Sequence, residues 1–124
     1  MTDKLLVITH CGSRREAETI ARALLRRRWI ACANLGGRVA SCYRWRGRLE
    51  RALEYPLWLK TTRSKYAQVE REIQRLHSYQ VPEIIALEIA RGSAAYLNWI
   101  AEVTMAASKS PRRKPQNRPK PVAD

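Results

Sequence analysis

The chain has 124 residues with 45% hydrophobic content, enough for one domain with a single buried core and too much for disorder throughout. It lacks any run of about 18 apolar residues that would cross a membrane. Cys11, Cys32 and Cys42 form no CxxC pair and have no histidine partner at zinc-finger spacing, which argues against a disulfide framework and for reduced thiols in a cytoplasmic protein. The net charge of +13 favours encounters with nucleic acid and other polyanions without specifying one.

Lys4 to Thr9 is a short apolar run that suits a buried strand, ended by Gly12-Ser13. Ser13 and Glu16 have the spacing of a capping box, and Ala17, Ile20, Ala21, Leu24 and Leu25 follow at helical intervals. Trp29 to Leu35 reads as extended, interrupted by Gly36-Gly37. Val39, Ser41, Tyr43 and Trp45 then alternate with Ala40, Cys42 and Arg44, as in a strand, and Arg46-Gly47-Arg48 makes a hairpin turn into a long strand from Leu49 to Thr61. Pro56 lies inside that strand, which predicts an edge or a bulge there. A second helix from Arg63 must end near His77, because Pro82 denies helical geometry to Val81 and lacks an N–H. Glu83 to Ile89 is apolar and branched, a fourth strand of the core sheet, and Gly92-Ser93 opens a shorter helix with Tyr96, Leu97 and Ile100 on its apolar face. From Lys109, six cations and four of the six prolines predict a disordered tail over 109–124, separate from a folded domain over 1–108.

This order predicts an α+β, ferredoxin-like βαββαβ sandwich with an added C-terminal helix: a four-stranded antiparallel sheet with both main helices on one face. The other face is expected to be bare and, with Tyr43, Trp45 and Trp58 nearby, to mark self-association. The segment His77-Ser78-Tyr79-Gln80-Val81-Pro82-Glu83 places an imidazole, a phenol and a carboxylate close together and is the candidate site.

The ordered set of Thr9-His10-Cys11, Ala31-Cys32-Ala33-Asn34, Ser41-Cys42-Tyr43-Arg44-Trp45-Arg46-Gly47, Glu54, Lys60-Thr61-Thr62, His77 to Ile84 and Tyr96-Leu97-Asn98-Trp99-Ile100 resembles the CutA family of divalent-cation tolerance proteins over about residues 5 to 105. The resemblance implies a homotrimer similar in architecture to the PII signalling proteins, with Tyr43, Trp45 and Trp58 as core or trimer contacts. It also implies Cu2+ or another divalent metal ion as ligand. His77, Cys11 and Cys32 correspond to the metal-binding candidates, and Glu54, Lys60, Tyr79 and Glu83 to the intersubunit cleft. The chain departs from the family in carrying Ser78 where proline is usual, and in its basic tail.

Two other classes are weighed against this reading. A PII-like structural or signalling trimer would bind a small ligand without metal chemistry. A nucleic-acid module of the RNA-recognition type shares the topology and suits the charge, but stacks bases in a Phe-rich signature, and this chain has no phenylalanine. Within the tail, Arg112, Arg113 and Lys114 are the candidate contacts to nucleic acid or another polyanion. No nucleophile–base pair or phosphate-cradling motif argues for an enzyme, Gly12-Ser13-Arg14 being only a faint echo of an acylphosphatase loop.

Overall fold

A computed structural model describes residues 2–105; the boundary expected at 108 and the Pro-rich segment after it lie outside the described residues. The elements are β1 (Lys4–Cys11), α1 (Arg14–Arg26), β2 (Cys32–Leu35), β3 (Val39–Trp45), β4 (Arg48–Thr62), α2 (Tyr66–Leu76), β5 (Ile85–Glu88) and α3 (Ala94–Val103), with a 3-10 turn at Arg63–Lys65. The core sheet has the order β2-β4-β1-β5, every pair antiparallel, and β3 extends it along the first half of β4. This is the ferredoxin-like arrangement.

Alternation along β1 and β4 separates two faces. Leu5, Val7, Thr9 and Cys11 pair across with Thr61, Leu59, Leu57 and Tyr55, and all but Tyr55 are buried under the helices. Ala17, Ile20, Ala21 and Leu24 of α1 and Val69 and Ile73 of α2 close that side, spaced to form one stripe per helix. Ser13 caps α1 by accepting from the Glu16 N–H at 3.1 Å, and Ser93 caps α3 by accepting from the Tyr96 N–H at 3.2 Å.

The opposite face is not bare, contrary to expectation. The α3 helix packs against β4 and β1, and its Tyr96 hydroxyl lies 3.5 Å from the sulfur of Cys32, whose register with Lys60 puts it on the face away from α1 and α2. Ile100 is the buried residue of this short helix, with Tyr96, Leu97 and Trp99 half-buried beside it. The cover is partial. Ile85 and Leu87 on edge strand β5 stay exposed, as do Val39, Tyr43, Trp45, Leu49 and Leu53 on the hairpin.

Pro56 sits inside β4, the strand between β2 and β1, opposite His10, at the irregularity rather than the edge of the two expected: residues 36–38 face only Tyr55 and Pro56, as in a bulge. The carbonyl of Pro56 accepts from the Gly36 N–H at 2.9 Å, so its missing N–H faces the break between the β3 ladder, which ends at Glu54, and the β2 ladder, which begins at Leu57. No ladder bond is required there, and the chain accepts proline without an edge.

Candidate functional site

Three chain segments meet where β1 ends, α1 begins and α2 ends. The ring of His77 is fully buried at this junction. Its Nε2–H donates to the His10 carbonyl at 2.7 Å and its Nδ1 accepts from the Tyr79 N–H at 3.1 Å, while the Glu16 carboxylate lies 3.2 Å from Nδ1. Glu16 also accepts from the Ser78 N–H at 3.0 Å. The carboxylate half of the expected capping box therefore spans two elements instead of closing on its own helix. With the Cys11 sulfur these ligand-type atoms lie within 4.8 Å of one another, and they form the only such cluster among the described residues.

The donor types suit copper or zinc. Burial, reinforced by the Glu16 and Glu54 carboxylates, pushes the Cys11 thiol up to about 12, so a metal bound there would displace that proton. Both nitrogens of His77 are engaged by the backbone. These hydrogen bonds tie the end of β1, the start of α1 and the end of α2 together. Cys32, the third expected ligand, belongs to β2 and meets Tyr96 instead.

The outer side of this junction opens into a cleft of about 720 Å³. One wall is the β3–β4 hairpin, with Ser41, Cys42, Tyr43, Trp45, Ala52 and Glu54. The other is the end of β1 and the loop after α2, with His10, Tyr79, Gln80, Val81 and Glu83. The Tyr79 hydroxyl donates to Glu54 at 2.9 Å; burial together with this bond holds the phenol above its ordinary range. His10 donates through Nδ1–H to the Glu83 carboxylate at 2.7 Å, across 73 residues of sequence.

Of the expected cleft residues, Glu54, Tyr79 and Glu83 come together here, whereas Lys60 lies on the α3 face, donating to Asn34. Tyr43 and Trp45 line the cleft and remain exposed. Trp58 packs instead against Gly36, where a β-carbon would come within 2.8 Å of its ring. Arg112, Arg113 and Lys114 lie outside the described residues. Sequence reasoning missed His10 and Glu16, the first read as part of a strand end and the second as a cap.

A ferredoxin-like domain with an imidazole, two carboxylates and aromatic rings around one concavity is a binding domain in its geometry. The chain belongs to the CutA1 divalent ion tolerance protein family, whose model matches residues 5–103. It is 39% identical over 99 residues to the divalent-cation tolerance protein CutA of Thermus thermophilus, covering 80% of this chain and 96% of that one. It is 35% identical over 100 residues to mouse Protein CutA, covering 81% of this chain and 56% of the mouse protein. The solved Thermus thermophilus Cut A1 structure superposes with a TM-score of 0.81 at 38% identity, over 82% of this chain and 99% of that one. A structure described as the periplasmic divalent cation tolerance protein CutA of Archaeoglobus fulgidus gives 0.80 at 35% identity, over 82% and 99%. Among the described residues no helix is long and apolar enough to cross a membrane.

Proposed function

We propose that this chain serves divalent-cation tolerance as a non-enzymatic homotrimer that takes up Cu2+ or another divalent ion such as Zn2+ at the mouth of the cleft. The observation that carries the reading is the His10–Glu83 pair. With Nδ1–H given to the carboxylate, the free Nε2 lone pair is held ready for a cation, the arrangement in which metal-binding histidines are oriented from behind. Further ligands would come from water or a neighbouring copy. Support for assembly comes from the uncovered apolar residues: Ile85 and Leu87 along the β5 edge, and Leu49, 78% exposed, and Leu53 on the hairpin. Three free thiols suit a reducing, cytoplasmic setting.

Isothermal titration with Zn2+ and Cu2+ tests the site. His10→Ala is expected to abolish the tightest binding step, and Glu83→Gln to weaken it about ten- to a hundredfold. Unchanged affinity in both variants overturns the assignment. Light scattering tests assembly: the expected mass is three times that of the 14.3 kDa chain, independent of salt, and a monomer refutes the trimer.

A further inference from the structure

The cleft has a second centre that the ion at His10 does not use. Glu54 is a 92% buried residue, 8% exposed, and among the described residues its one hydrogen bond is the hydroxyl donated by Tyr79 to Oε2. Oε1 is not among the buried side-chain atoms without a partner, so it is open to the cleft, where it can accept further donors. Among the described residues no lysine or arginine lines the cleft, whose two carboxylates, Glu54 and Glu83, make it an acidic hollow in a chain carrying +13 overall.

We propose that this hollow binds a small organic cation, an ammonium or guanidinium group on an apolar body, with Glu54 accepting its N–H donors and Trp45 and Tyr43 enclosing the rest. What surrounds the carboxylate is aromatic: Tyr43, Trp45 and Tyr79. Such walls satisfy a ligand that brings its own apolar surface, and their π faces attract positive charge. The Arg46 guanidinium already lies 5.6 Å from the Trp45 ring centre, so that ring holds a cation on one side. A volume of about 720 Å³ is in the range of small-molecule sites.

The test is calorimetric titration of the full chain at pH 7 with benzylamine, which is cationic, against benzyl alcohol, its neutral counterpart. Benzylamine is expected to saturate at one per chain and to bind at least about tenfold more tightly than the alcohol, the size of one charge-assisted contact with a cation–π contribution. Glu54→Gln keeps the size and an acceptor for Tyr79 and is expected to erase that preference. Trp45→Ala is expected to weaken the amine, with the mass of the variant checked by light scattering because the hairpin is also the expected trimer contact. Equal binding of amine and alcohol, no saturation, or an amine preference that survives both substitutions overturns the proposal. Zn2+ titration of the same variants separates the two readings: the ion at His10 is expected to be indifferent to Glu54→Gln, and amine binding to survive His10→Ala.

Discussion

His77→Ala distinguishes a structural histidine from a ligand. The ring is fully buried and makes two hydrogen bonds, to the His10 carbonyl at 2.7 Å and from the Tyr79 N–H at 3.1 Å. Each contributes about 1 kcal/mol net, so their loss removes about 2 kcal/mol. Deleting a buried ring the size of imidazole leaves a cavity that adds about 1–2 kcal/mol. The expected loss is therefore about 3–4 kcal/mol, read as a fall in the urea midpoint at one fixed protein concentration, since assembly couples stability to concentration. Zn2+ affinity is expected to fall much less than in His10→Ala, whose own stability loss is small because that side chain is part-exposed and, among the described residues, bonded only to Glu83. The reasoning is refuted by the reverse pattern: His77→Ala stable to within the roughly 0.5 kcal/mol of a surface site, yet unable to bind the ion.

Gly36→Ala is expected to cost about 1–3 kcal/mol, because its β-carbon would meet the Pro56 ring at 2.7 Å and the Trp58 ring at 2.8 Å, while Gly37→Ala, with nothing within 4 Å, is expected to be near neutral; equal midpoints in urea would contradict this. Thr9→Val replaces a buried hydroxyl that lacks a partner among the described residues with a methyl group of the same shape and is expected to raise stability by about 1 kcal/mol; a lower melting temperature would mean the hydroxyl is bonded. The Cys11 thiol is held up to about 12 against an ordinary 9.0, so between those pH values the unfolded chain loses this proton and the native one keeps it. Stability from this source is complete below pH 9 and drains away as pH rises toward 12; Cys11→Ala should flatten the fall in urea midpoint from about pH 8 to about pH 10.5, and an unchanged slope removes Cys11 as its cause.

The fold was legible because its signals are local. Two helical stripes, an alternating hairpin and the Pro82 stop give element order, and element order with right-handed crossovers gives the sheet. What escaped was relational. Whether Pro56 marks an edge or a bulge depends on which neighbour its missing N–H faces, and that is decided by where two other strands stop. The face that α3 covers depends on its path after β5, for which residues 89–93 carry no periodic signal.

The site divides along the same line. The motif around His77 announced a junction, and His77, Tyr79 and Glu83 do gather at one end of the sheet. Yet the chemistry available to a histidine is set by which of its nitrogens are already taken, and no spacing rule encodes that. His77 follows a helix end, and its ring helps to hold three segments together. His10, one residue before a buried cysteine, looked like the tail of a strand. Because β1 runs antiparallel between β4 and β5, its last polar residue on the open face is delivered to Glu83 with one nitrogen bonded and one lone pair free. The junction and the open pair share the His10 backbone: the carbonyl anchors His77 while the side chain faces the cleft. Loosening the first should therefore disorder the second, which is why the stability and ion affinity of the two histidine variants must be read together.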